Sequence, residues 1–284
     1  MIIQGSYANG FAPRDGQPLY PELWRGCVHT LAPLLGPTGL TVRDWSGSAN
    51  HADLTNGPIW GPIAGWQAVT TDGVNDFLKC TSNTVGNLGT SNATIVVWCV
   101  LQNSNLFGPM IGKRNDGGVF QQWGLLQGHL NSSFATVAGK NVSLFWYSGG
   151  PIASSQHVHT SADIADGRLH CVVARRVSGT TPTIWIDGIQ QATTVIGSTT
   201  TNINADGLAD PIRVGAFADA GSYLGFNFIE SRVYSRNLSD SEIRLVSSRP
   251  GIAYELAPRR KARLAAFRAY WAARKALIQL AGAN

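Results

Sequence analysis

Thr183-Ile184-Trp185-Ile186-Asp187-Gly188-Ile189-Gln190-Gln191 is the stretch from which the fold is read. Two short runs of strand-forming residues flank an Asp-Gly pair. Glycine tolerates the positive φ of a type I′ turn, and that turn matches the twist of paired strands, so the stretch predicts a tight β-hairpin. Strand-like runs recur on both sides, at 23–29, 66–70, 76–80, 94–101, 119–127, 142–147, 168–176, 183–187, 189–195, 211–216 and 226–234. Turn signals crowd between them, as in Gly36-Pro37-Thr38-Gly39 and Asp44-Trp45-Ser46-Gly47-Ser48-Ala49-Asn50. Many short strands with frequent turns predict an all-β protein. Ser239-Asp240-Ser241-Glu242 reads as a capping box that starts one short helix, near 240–247.

Composition agrees. The 284 residues include 32 Gly and 13 Pro, and only 14% are charged, against roughly 25% in an average protein. With 44% hydrophobic residues and 9 Trp the chain can bury a large core, which excludes a disordered protein. The longest purely apolar run, Ile95 to Leu101, is far short of the ~20 residues that span a bilayer. No basic residue precedes Arg14 and no apolar stretch of leader length follows Met1, so synthesis in the cytoplasm without a signal peptide is expected. Cys27, Cys80, Cys99 and Cys171 form no C-x-x-C, and Cys99 and Cys171, inside apolar strand-like runs, are expected as buried thiols.

The formal charge of +5 belongs to one segment. Arg259, Arg260, Lys261, Arg263, Arg268, Arg274 and Lys275 stand without an acid among them, and the other 15 bases face 17 acids. Alanine recurs through this segment, which predicts a C-terminal basic helix with Leu264, Phe267, Trp271 and Ile278 on one stripe. Bases at its start oppose the helix dipole, so they serve something other than helix stability. Three uses stand open: docking on a partner through Arg259, Arg260, Arg263, Leu264, Phe267, Trp271 and Ile278; packing on its own domain; or contact with nucleic acid or a membrane surface. The division expected is an arm at 1–21, a sandwich at 22–248, and a linker with the basic helix at 249–284.

Six segments in order resemble the laminin-G-like, concanavalin-A-like jelly-roll family. They are Asp44 to His51 ("D-x-S-G-x-x-N"), Asp72-Gly73-Val74-Asn75-Asp76-Phe77-Leu78 ("D-G-V-D-D-Y-V"), and the run Thr94 to Leu101. Asp166-Gly167-Arg168-Leu169-His170-Cys171 ("D-G-x-W-H-H"), Ile184 to Gly188, and Arg232-Val233-Tyr234-Ser235-Arg236-Asn237-Leu238-Ser239 with Glu242 and Ile243 complete the set. The resemblance implies a two-sheet antiparallel sandwich. Pro21-Glu22-Leu23-Trp24-Arg25-Gly26 and Leu35 to Leu40 also look like laminin-G-like proteins of tailed bacteriophages and environmental bacteria, a subgroup that often ends in a basic segment.

Chemistry is sparse. Glycoside hydrolysis needs two carboxylates flanking one bond, whereas Glu22, Glu230, Glu242 and Glu255 are scattered. His157 and His159 would share a strand face, yet no acid or thiol nearby completes a metal site, and exposed strand polarity is expected. Pentraxin relatives bind calcium, and Asn75, Asp76 and Asp219 are the nearest equivalents, without the clustered acids a hard cation needs. No catalytic residue, metal or cofactor is assigned. Glycan binding would use rim aromatics, with Trp123, Trp146, Tyr147 and Tyr223 as candidates. The expectation is therefore a non-catalytic bacteriophage virion protein, a capsid decoration or a tail or fibre component. Its partners would be other virion proteins and possible cell-surface glycan, and the alternative is a soluble lectin-like module.

Overall fold

The structure, a computed structural model, describes residues 18–102, 104–113, 121–131, 135–148, 155–197, 210–217 and 222–256. In chain order the first strands are β1 (Cys27–Leu31), β2 (Thr41–Val42), β3 (Ala52–Thr55), β4 (Ile59–Ile63), β5 (Trp66–Thr70), β6 (Phe77–Cys80), β7 (Ala93–Leu101) and β8 (Gly108–Lys113). There follow β9 (Gln121–Leu130), β10 (Thr136–Ser148), β11 (Ser155–Thr160), β12 (Leu169–Arg176), β13 (Thr183–Ile186), β14 (Ile189–Gln190), β15 (Thr193–Val195), β16 (Ile212–Val214) and β17 (Phe226–Tyr234). One helix, α1 (Asp240–Val246), comes after them. Two antiparallel sheets result. One runs β14-β13-β12-β7-β17-β5-β4 with β1 also on β17, and the other β15-β11-β10-β9-β8-β16-β6-β3-β2. This is the all-β two-sheet sandwich expected from the sequence.

Period-two alternation decides which residues face the space between the sheets. In β7 every residue is buried. Ile95, Val97, Cys99 and Leu101 join the core between the sheets, with Leu125, Leu144, Val158 and Val214 from the other sheet. Val96, Trp98 and Val100 point the opposite way into a second core. That core is roofed by α1 through Ile243 and Val246, by Leu23 and Trp24, and by Ile252, Ala253 and Tyr254. Each such aliphatic side chain contributes about 1.5–3 kcal/mol when buried fully.

The hairpin forms as read: Asp187 (φ 52°) and Gly188 (φ 78°) are both left-handed, and Ile186 faces Ile189. The run 189–195, expected as one strand, divides between sheets, because β14 pairs with β13 and β15 pairs with β11. The first strand begins later than expected. Pro21–Trp24 is a 3₁₀ turn started by its proline, and β1 follows at Cys27.

The capping box is complete. Ser239 Oγ accepts from Glu242 N, and Ser239 N donates to Glu242 Oε2. Burial works against the Glu242 carboxylate, yet Arg236 and Ser239 hold it down at about 2. Residues 249–256, expected as the start of a linker, lie on the sandwich instead. Trp24 Nε1 donates to Ala253 O at 2.8 Å, Leu19 N donates to Glu255 O at 2.7 Å, and Pro18 and Leu256 form an antiparallel bridge. No helix among the described residues is long and apolar enough to cross a membrane.

Candidate binding site

The "D-x-S-G-x-x-N" segment builds a loop around one carboxylate. Asp44 Oδ1 accepts from Thr30 N (3.0 Å) and Ser46 N (2.9 Å), and its Oδ2 accepts from Ser46 Oγ and Asn50 N (3.0 Å each). A buried carboxylate with four donors is satisfied and rigid. The loop therefore returns the chain to β3 in a fixed place. Asp44 N in turn donates to His51 Nδ1 at 3.0 Å. Beside this hub, at the β2 edge of its sheet, Thr38, Thr41, Arg43 and His51 line a depression of about 330 Å³. That size falls at the lower end of the roughly 300–1,000 Å³ usual for ligand pockets. Alternation places Arg43 here: Val42 and Asp44 are buried and Arg43 between them is exposed.

The aromatic candidates are mostly core, which corrects the glycan-contact expectation for three of them. Trp123 and Trp146 face each other across β9 and β10 and point between the sheets, both fully buried and stacked at 6.3 Å. Trp123 Nε1 donates to Gly86 O, and the Arg176 guanidinium lies 4.7 Å over Trp146. Burial lowers Arg176 to about 10. Tyr147 is on the outer face but covered, packed with Leu126, Phe145 and Phe217. Tyr223 alone of the four keeps part of its surface, against Phe77 at 6.1 Å.

The histidine pair is also repositioned. His157 is buried against Phe145, not exposed, and neither ring nitrogen has a partner. Burial, reinforced by His129 and His159, pushes it down to about 3. His159 stacks on His129 at 4.3 Å, and Asn141 Nδ2 lies 3.4 Å from the Nδ1 of each. Among the described residues no three of His, Cys, Asp and Glu come close enough to share a metal ion.

Asp72 spends its Oδ1 on the backbone N–H groups of Val74, Asn75 and Asp76, so this carboxylate closes its own turn. Asp219 lies outside the described residues, as do Arg259, Arg260, Arg263, Leu264, Phe267, Trp271 and Ile278.

Carboxylates that a hydrolase would need are engaged elsewhere. Glu230 pairs with Arg232 at 2.7 Å and accepts from Gly251 N, Glu242 is bound by Arg236, and Glu255 pairs with Arg249. Asp166 and Asp187 sit on either side of His170, at 3.1 and 2.8 Å. Burial raises the Cys99 thiol to about 12 and Cys80 and Cys171 well above the ordinary thiol range, and the half-buried Cys27 is likewise pushed up to about 12.

With this geometry in place the class is defined. The chain belongs to the Concanavalin A-like lectin/glucanases superfamily, whose laminin-G model matches residues 72–244. No curated protein matches it by sequence. Solved structures share the fold at low identity. The binding domain of Paraclostridial Mosquitocidal Protein 1 has 14% identity and a TM-score of 0.58, covering 79% of this chain and 52% of that one. The receptor binding domain of botulinum neurotoxin C/D mosaic serotype has 12% identity and a TM-score of 0.56, covering 79% and 51%. Trypanosoma rangeli sialidase in complex with sialic acid has 15% identity and a TM-score of 0.56, covering 81% and 34%. The chain thus spans about half of the first two and a third of the last.

Arg43 and His51 were not singled out by sequence reasoning. The available signal was their position: one precedes and the other ends the Asp44 motif.

Proposed function

We propose that this chain is a non-catalytic carbohydrate-binding module. One observation carries the reading: a concanavalin A-like sandwich presents a fixed polar depression while its glutamates 230, 242 and 255 are tied into ion pairs. That two fold neighbours are binding domains of toxins supports it. A glycan array probed with the full chain tests it. Retention of a defined set of saccharides is expected, with no release of reducing ends; hydrolysis products would overturn the non-catalytic part.

The module is carried, in this reading, on a larger particle, a bacteriophage virion. The resemblance to phage-encoded laminin-G-like proteins supports this, and so does one structural fact. Pro18 and Leu256 form an antiparallel bridge, and the basic run from Arg259 begins three residues after Leu256 in the sequence. The module would be attached at one place. Density-gradient fractionation of the producing culture, with mass spectrometry of each band, should find the protein with large particles. Deleting 258–284 should leave the sandwich folded and abolish that association; a protein found only in the soluble fraction would overturn the virion role and leave the carbohydrate-binding reading intact.

A further inference from the structure

We propose that the depression formed by Thr38, Thr41, Arg43 and His51 binds the anionic group of an acidic saccharide, a carboxylate or a sulfate ester. The proposal rests on the carbohydrate-binding reading and narrows its ligand class. Among the described residues, Arg43 is the one arginine or lysine with no hydrogen-bond, ion-pair or ring partner. Even exposed bases elsewhere find one: Arg168 has Asp166 and Arg249 has Glu255. A guanidinium offers a planar fork of donors that fits a carboxylate or sulfate, and here that fork is unspent.

His51 supplies the second donor. Its Nδ1 accepts the Asp44 N–H, so the ring proton belongs on Nε2. Two carboxylates lie near the site, and both accept hydrogen bonds from this chain. Asp44 takes four donors within its own loop. Asp53 accepts from Thr41 Oγ1 at 3.1 Å and faces Lys79 across β3 and β6. Two hydrogen bonds hold the wall, from Thr38 Oγ1 to Thr41 O and from Leu54 N to Leu40 O. A recess that offers a partnerless arginine and a second N–H donor from His51 suits an anion.

The test titrates the full chain with three matched probes: a galacturonate trimer, a galactose trimer bearing sulfate esters, and the unmodified galactose trimer. Affinity is read by calorimetry, and occupancy of the site by the imidazole resonances of His51. At least one acidic probe should bind tenfold or more tighter than the neutral trimer and move the His51 resonances; whichever acidic probe binds tighter identifies the carboxylate or the sulfate as the preferred group. Arg43→Ala, at an exposed position, should weaken that binding at least tenfold, and Arg43→Lys should lie between, keeping the charge without the fork. Undiminished acidic binding in Arg43→Ala would overturn the site, placing the anion elsewhere on the chain. Neutral sugar bound as tightly as acidic sugar would overturn the site and leave the carbohydrate-binding reading standing. No saccharide bound, on this titration or on the array, would overturn both.

Discussion

His170 Nδ1 stands 2.8 Å from Asp187 Oδ2, so the start of β12 and the turn of the β13–β14 hairpin are one hydrogen-bonded unit. The other Asp187 oxygen accepts from Cys171 N, and His170 Nε2 reaches Asp166. The hydrogen bond to Asp187 raises the His170 pKa against the opposing effect of burial, with Asp166 adding to the rise. A raised folded-state pKa stabilises fully below the unfolded value, near 6.5, and that stability is lost as pH climbs through the folded one. Asp187→Asn keeps the turn and the Cys171 contact. It should lower the His170 titration midpoint in NMR and cost about 1 kcal/mol or less at pH 6, since both carboxylates are partly solvated.

His157 has the opposite sign. Its folded-state pKa is depressed to about 3, so the unfolded chain takes up a proton that the native state refuses once pH falls below about 6.5. Stability should drop by roughly 3 kcal/mol between pH 7 and pH 4 from this residue. His157→Leu should remove that loss. At pH 7 it should be neutral or stabilising by about 1 kcal/mol, because two unpaired buried nitrogens disappear. Urea melts at both pH values decide it, and unchanged acid sensitivity in the variant would refute the assignment.

Arg232 holds the segments around Trp24 and Tyr254 to the sandwich. It pairs with the buried Glu230 and lies 4.7 Å over Trp24 and 4.6 Å over Tyr254. Arg232→Ala leaves a buried carboxylate without its cation and should cost about 3–5 kcal/mol. Limited proteolysis should then cut near 18–25 and 250–256 first. Replacing both partners with apolar residues, Glu230→Leu with Arg232→Met, should recover much of the stability.

Gly73 has φ 76°, and a Cβ there would fall 2.8 Å from Gly225 N. Gly73→Ala should therefore destabilise by about 1–3 kcal/mol, through left-handed strain and displacement of the chain before β17. Denaturant unfolding of the variant measures this. A loss below a few tenths of a kcal/mol would mean that the turn relaxes freely.

Much of the sandwich was legible in local pattern. The Asp187-Gly188 turn, the Ser239 cap and the long apolar runs of β7, β12 and β17 carry their geometry in adjacent residues. The strands that were missed lack such a signature. β4 contains Gly61-Pro62 and survives because it is an edge strand, where a missing N–H costs no ladder bond. β8 reads as Gly-Pro-Met-Ile-Gly-Lys, and β2 and β3 are too short to show a period.

The site was less legible still. Whether Trp123 and Trp146 face in or out depends on register with the opposite sheet, and register is fixed by pairings distant in sequence. The depression at Arg43 is likewise made by what the rest of the chain does. An unpartnered arginine is recognised only when every other base has been given its acid, ring or carbonyl.

The bridge between Pro18 and Leu256 has a mechanical meaning. A load drawn through the segments leading to Pro18 and from Leu256 would arrive at neighbouring points, opening the Leu19–Glu255 hydrogen bond and then the Trp24–Ala253 contact one after the other, like the teeth of a zip. The long ladders of β7 and β17 would be reached last. If the module is attached as proposed, a strained attachment would open this base before it reached the depression at Arg43.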